Sequence, residues 1–156
     1  MHRKLKKKVI FRIQKNFYLE NLVDDQKSYL IYKMRNSKLM RNNSINKRKI
    51  TFNSHKEWFK KFIHKNKIYL VSYNLKYVGY LRLKFRQINK IEISIFIKKK
   101  FQNKNIASKI LNFALLKYKN YKFIAKVLKS NIVSQNFFRK NNFKSSNKKR
   151  KLLIIC

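Results

Sequence analysis

Between Ile91 and Ile97 isoleucine returns at every second position, 91, 93, 95 and 97, while Glu92, Ser94 and Phe96 take the alternate places. From Ile106 the spacing changes: Ile106, Ile110, Phe113, Ala114 and Lys117 fall on one helical stripe that Leu111 and Leu115 widen. A half-buried strand therefore runs into a loop and then a helix. The loop carries Lys98, Lys99, Lys100 and Lys104 and ends at a helix N-terminus, where free N–H groups and the positive end of the dipole favour an anion.

The rest of the chain supplies a frame for that unit. Val9 to Gln14 reads as a first strand, and Asp24 and Asp25 open a helical pattern through Leu30, Ile31 and Met34. Asn36 to Lys49 is polar and without period, which predicts a loop that lies over a site. Ser54 and Glu57 have capping-box spacing ahead of Trp58, Phe59, Phe62 and Ile63, so a helix is expected over about 54–64. Ile68 to Tyr73 and Tyr77 to Phe85, joined by Asn74, Leu75 and Lys76, read as a hairpin, with Ile91 to Ile97 as its third antiparallel strand. Tyr121 to Leu128 reads as a strand, Ile132 to Arg139 as a short helix and Leu152 to Ile155 as a final strand.

Length and composition bound the answer. The chain has 156 residues, which suits one domain, 1–156, with a basic N-terminal tail at 1–8. Hydrophobic residues make up 44%, too much apolar material for a disordered polybasic segment despite a formal charge of +37. Lysine, asparagine, isoleucine, phenylalanine and tyrosine account for 92 residues and all have A/T-rich codons, so much of the lysine reflects codon bias. The charge still attracts polyanions, RNA and diphosphates among them. No apolar run has the length of a membrane span or a secretory core, Cys156 is the one cysteine, and three histidines with five acids form no metal cage. The expectation is a cytoplasmic, metal-free protein with no membrane span.

Gln102, Asn105 and Ala107 occupy the places of a pyrophosphate-binding signature, Arg or Gln, two residues, Gly, one residue, Gly or Ala. Asn131, Ser134, Phe137, Phe138, Asn142 and Phe143 follow a second pattern, a helix that ends in Gly-Phe. In both, asparagine stands where glycine is usual, and asparagine is the residue besides glycine that best tolerates a left-handed backbone. On these residues the chain resembles the GCN5-related N-acetyltransferases (GNAT). Met34-Arg35-Asn36, Arg41, Ile50, the segment His55 to Phe59 and the segment Val78 to Arg82 look like the members that acetylate nucleotide-linked amino sugars in the pseudaminic acid and related surface-glycan pathways.

The resemblance implies a single α/β (α+β) domain with a mixed, mostly antiparallel central sheet flanked by helices, and acetyl-CoA as the donor. Backbone groups of Ile95, Phe96 and Ile97 would hold the thioester arm, and Gln102, Asn103, Lys104, Asn105, Ile106 and Ala107 the pyrophosphate. Asn131, Ser134 and Phe138 would complete that site. Glu92 is the first candidate base and His55 the second, the latter also a substrate ligand. Arg35, Arg41 and Arg82 suit a diphosphate or sugar hydroxyls, and Trp58 and Tyr80 could stack on a base or sugar. Phe138 falls where many relatives have a tyrosine that reprotonates the thiolate, and phenylalanine has no hydroxyl.

The expected partners are acetyl-CoA and a small anionic amine, with a homodimer left open. Protein N-terminal acetyltransferases of the ribosome share part of the pattern and form the alternative. A basic RNA-binding or ribosome-associated protein without catalysis is the reading from another class, supported by 42 basic and 22 Phe and Tyr residues. An acetyltransferase fold that binds cofactor without turnover is the fourth.

Overall fold

Fourteen short elements follow one another in the computed structural model, which describes residues 8–148 and 152–155, with side chains through Ser145. In chain order they are β1 (Ile10–Gln14), β2 (Phe17–Asn21), α1 (Ser28–Arg35), α2 (Lys38–Asn42), α3 (Phe52–Lys65), β3 (Lys67–Tyr73), β4 (Lys76–Arg86) and β5 (Lys90–Ile97). A 3-10 turn (Lys99–Phe101), α4 (Ile106–Lys117), β6 (Lys122–Leu128), α5 (Ile132–Lys140), β7 (Ser145–Lys148) and β8 (Leu152–Ile155) complete the chain. The strands form one sheet in the order β1-β2-β3-β4-β5-β6-β8-β7. Every pairing is antiparallel except β5 with β6, which α4 connects.

Alternation along the strands sends side chains into two cores. Tyr69, Leu81, Leu83, Ile91, Ile93 and Ile97 pack with Ile106, Ile110, Leu111 and Ala114 of α4. Ile68, Leu70, Tyr80 and Phe96 face the other way, against Ile31 and Met34 of α1 and Phe59, Phe62 and Ile63 of α3. The sheet is thus covered on both faces, the arrangement expected from the sequence.

Several boundaries differ from the sequence expectation. The first helix begins at Ser28, because Asp24 and Asp25 form turns instead: Asp24 Oδ1 accepts from the Gln26 amide (3.0 Å) and the Asp25 carbonyl accepts from the Ser28 amide (3.0 Å). The cap of α3 is Thr51, whose Oγ1 accepts from the Ser54 amide at 3.2 Å, so Ser54 lies inside the helix. Residues 36–49 contain the short α2, and β2 and β7 were not expected at all. The lysine run from 149 onward and residues 1–7 lie outside the described residues.

Turn chemistry accounts for β2. Of eight non-glycine residues with positive φ among the described residues, six are asparagine: 16, 74, 89, 103, 105 and 142. Asn16 turns β1 into β2, Asn74 with Leu75 turns β3 into β4, and Ile88 with Asn89 turns β4 into β5. The paired left-handed residues Asn74 and Leu75 are the backbone of a two-residue hairpin turn, a place usually held by Asn-Gly, while Gln87, Ile88 and Asn89 make a three-residue loop between Arg86 and Lys90. Asn142 takes the left-handed backbone at the end of α5. The Phe143 amide donates to the Phe138 carbonyl and the Asn142 amide to the Arg139 carbonyl, both at 3.1 Å, and the Phe138 and Phe143 rings pack 5.1 Å apart. This is a complete Schellman ending built on asparagine.

Candidate active site

The one parallel pairing is short. β5 and β6 are in register only at Lys90 with Lys122, Ile91 with Phe123 and Glu92 with Ile124. Beyond that point the strands part. The Lys98 amide donates to the Val78 carbonyl at 2.8 Å, and these two residues are opposite in the register. Hydrogen-bonded pairs between β4 and β5 therefore fall on even residues of β5, and the backbone groups of Ile95 and Ile97 point away from β4 into the gap. The Ile97 carbonyl accepts from Gln102 Nε2 at 2.9 Å, which ties the following loop to the strand end.

Where β5 leaves β6, a cleft of about 580 Å³ opens between the end of β5, the following loop, the start of α4, and α5. Ile95, Ile97, Gln102, Asn103, Asn105, Ile106, Ala107, Ser134 and Phe138, all named from the sequence, line it, joined by Phe101, Ser108, Val133, Asn136, Phe137 and Lys140. Three residues of the expected cofactor set do not line it. Phe96 turns to the opposite face and stacks on Tyr80 (5.6 Å), Lys104 is exposed on the loop, and Asn131 caps α5 by accepting from the Ser134 amide at 3.1 Å. Of the extra lining residues of α5, Phe137 belongs to the second sequence pattern, and Val133, Asn136 and Lys140 carry no motif. They enter because α5 packs beside the parted strands.

The loop into α4 fits a diphosphate. Asn103 and Asn105 both adopt left-handed backbone (φ 59° and 57°), and Asn105 is the residue that opens α4 without a side-chain cap. The first-turn N–H groups of α4, at Ile106, Ala107 and Ser108, are left for a ligand, and the helix dipole makes that end positive. Alternating left-handed residues of this kind form concave anion sites. The apolar walls, Ile95, Ile97, Phe101 and Phe137, suit the aliphatic arm of a coenzyme. Lys98 is turned away, its Nζ donating to the Tyr77 carbonyl at 2.6 Å. Burial first, then the charges of Lys100 and Lys33, push its pKa down.

A second cavity, about 360 Å³, lies on the other face, between α1, α3 and the sheet. Five of the six expected substrate residues meet there: Arg35, His55, Trp58, Tyr80 and Arg82. The sixth, Arg41, instead holds the covering segment together, donating from Nε to the Asn36 carbonyl and from Nη1 to the Lys47 carbonyl, each at 3.2 Å. Asn36 exchanges hydrogen bonds with Ile50 on the same segment, at 2.9 and 3.1 Å, and Asn46 and Ile50 reach the cavity wall. The polar stretch thus lies over a cavity.

His55 is 1% exposed. Its Nε2 lies 3.1 Å from the Ser28 carbonyl, and Tyr32, Trp58 and Phe59 surround the ring with centroids 5.7, 5.4 and 5.9 Å away. Burial lowers its pKa, the Ser28 contact opposes this, and the nearby Arg35 charge lowers it further; the net shift is downward. Tyr80 moves the other way, raised by burial against the pull of Arg82 and Arg35. Arg82 donates to Ser94 Oγ at 3.0 Å.

Glu92, the first candidate base, lines neither cavity. It is paired with Arg86 and with Lys126 (3.1 Å), on a side chain 12% exposed. Burial raises its pKa, but the hydrogen bonds from Arg86 and Lys126 outweigh that and the net shift is downward. No group of three or more His, Cys, Asp or Glu residues among the described residues could hold a metal ion, and no described helix is long and apolar enough to cross a membrane.

The sequence model of the acetyltransferase (GNAT) family matches residues 22–143. The chain belongs to the GNAT acetyltransferases. As a GNAT enzyme it is an acyltransferase that uses acetyl-CoA. No curated protein matches the chain significantly. Among solved GNAT folds, RimL, a ribosomal L7/L12 alpha-N-protein acetyltransferase, superposes with a TM-score of 0.78 at 15% identity, covering 99% of this chain and 97% of that one. Spermidine N-acetyltransferase from Vibrio cholerae, in complex with CoA and spermine, gives 0.76 at 17% identity over 91% and 94%. N-acetyltransferase PseH from Campylobacter jejuni, in complex with acetyl coenzyme A, gives 0.67 at 19% over 89% and 96%. These likenesses fix the GNAT fold and leave the acceptor to be argued from the cavity.

Proposed function

We propose that this GNAT enzyme acetylates the amino group of a small anionic substrate, foremost a nucleotide-activated amino sugar. The observation that carries the reading is the lining of the acceptor cavity, which holds Arg35 and Arg82 and no carboxylate. Guanidinium groups suit phosphate or hydroxyl oxygens, whereas a polyamine such as spermidine would bring positive charge against two cations. The covering segment from Asn36 to Ile50 favours a compact substrate over an extended peptide.

The donor supplies the thioester acyl group. The chain's residues supply orientation and proton handling. Main-chain groups of Ile95 and Ile97 and the first turn of α4 hold the donor, and backbone donors of this kind are the usual means of stabilising charge on a carbonyl oxygen. Neutral His55 accepts a hydrogen from the acceptor, while Phe138 presents a ring at the cleft wall and donates none.

Calorimetry with acetyl-CoA against ADP at low and high salt tests the donor site, because screening weakens contacts made by charge alone. Acetyl-CoA binding that persists at high salt and exceeds ADP supports it. A thiol-release assay then compares a nucleotide-linked amino sugar, spermidine and an N-terminal peptide. Preference for spermidine or the peptide would reject the proposed acceptor.

A further inference from the structure

Two buried polar atoms on the residues of the acceptor cavity have no partner in the protein, Nδ1 of His55 and Nη1 of Arg35. Their chemistry is fixed by what their neighbours can do. The Ser28 carbonyl can only accept, so the hydrogen of a neutral His55 ring is on Nε2 and Nδ1 presents a bare lone pair. Arg35 Nη2 is spent on the Asn46 carbonyl at 2.8 Å, and Nη1 can only donate. The residues that line the cavity therefore carry one unused acceptor and one unused donor, both buried, where leaving such groups unmade is costly.

We propose that this pair selects the acceptor: an N–H or O–H of the substrate donates to His55 Nδ1 while a substrate oxygen accepts from Arg35 Nη1. A polyamine offers donors alone and leaves Arg35 unmatched. A phosphate or carboxylate offers acceptors alone and leaves His55 unmatched. Neighbouring amine and hydroxyl groups, as on an amino sugar, satisfy both. The proposal deepens, and rests on, the assignment of this cavity as the acceptor site.

Two substitutions separate recognition from simple anchoring. In His55→Gln the amide nitrogen reaches the Nε2 position and can still donate to the Ser28 carbonyl, but the acceptor at Nδ1 is gone. In His55→Asn the amide oxygen takes the Nδ1 position and the Ser28 contact is lost. The expected order is that His55→Gln raises the acceptor KM about tenfold or more, with the acetyl-CoA KM unchanged, and that His55→Asn raises it less. The opposite order, with His55→Asn the worse, shows an anchor and overturns the proposal. Imidazole nitrogen NMR of the wild-type protein gives a readout independent of turnover and of any substrate: Nε2–H is expected, and Nδ1–H would also overturn it. Should the wild type acetylate some amine other than a sugar amine, the function proposed above falls, and the same variant order measured with that amine still decides the role of His55.

Discussion

Asn105 stands at φ 57° and ψ 12° where the chain enters α4, and a residue with a Cβ is disfavoured there by about 1–2 kcal/mol, asparagine somewhat less. Asn105→Gly is therefore expected to leave urea stability unchanged or raise it by up to about 1 kcal/mol, whereas the β-branched Asn105→Val should lower it by about 1–3 kcal/mol and weaken acetyl-CoA binding measured by calorimetry. At the same cleft, Phe138 is 6% exposed and lacks a hydroxyl. Phe138→Tyr places a proton donor on the wall, and an increase in kcat of about tenfold or more, with KM for acetyl-CoA unchanged, is the expected result; a kcat that stays level would show that the missing hydroxyl does not limit the rate. Both residues were legible in the sequence, since asparagine's tolerance of left-handed backbone and the absence of a hydroxyl are properties of the residue alone. The surroundings of His55 and Glu92 were not. Ser28 lies 27 residues before His55, and Arg86 and Lys126 come from different strands, so neither the histidine's tautomer nor the glutamate's ion pairs can be read from local spacing.

Strand β4 carries the chain's single glycine, and its neighbour β5 shows why it is there. A Cβ on Gly79 would meet the Phe96 carbonyl oxygen at 2.0 Å and Ile97 Cδ1 at 2.8 Å. Gly79→Ala forces β5 away from β4 beside the backbone of Ile95 and Ile97, so unfolding stability should drop by about 1–3 kcal/mol and acetyl-CoA affinity should fall with it. Urea titration and calorimetry on one preparation check both. Elements with strong periodicity, β3 to β5, α3 and α4, were legible because alternation and helical stripes are written in apolar residues. β2 was hidden because its turn is Lys15-Asn16, with no glycine to mark it, although Asn16 adopts the same left-handed backbone. α2 is five residues long with no buried residue, so no apolar face announced it.

Across the whole molecule, 42 basic residues are set against five acids, and Glu20, Asp25 and Glu92 are each ion-paired with two basic residues. Burial raises the pKa of Glu20 and of Glu92, but hydrogen bonds from Lys27 and Lys8, and from Arg86 and Lys126, outweigh it and hold both below their ordinary 4.5. Unfolded carboxyls then bind protons first as pH falls, so this stabilisation is complete above 4.5 and is lost below it. His55 acts earlier: folded, it titrates below its ordinary 6.5, so the unfolded chain gains a proton first and stability declines as pH drops from about 6.5. Urea midpoints between pH 8 and 3 should show two successive declines, and His55→Gln should abolish the first. The short seam at Lys90 to Glu92 gives the sheet a mechanical character. Strands β1 to β5 form one plate and β6, β8 and β7 another, joined along three residue pairs and by α4, like the jaws of a clip. A molecule seated between the jaws stitches the plates together, and amide hydrogen exchange at Ile95 and Ile97 should slow on adding acetyl-CoA while exchange in β2 and β3 stays as it was.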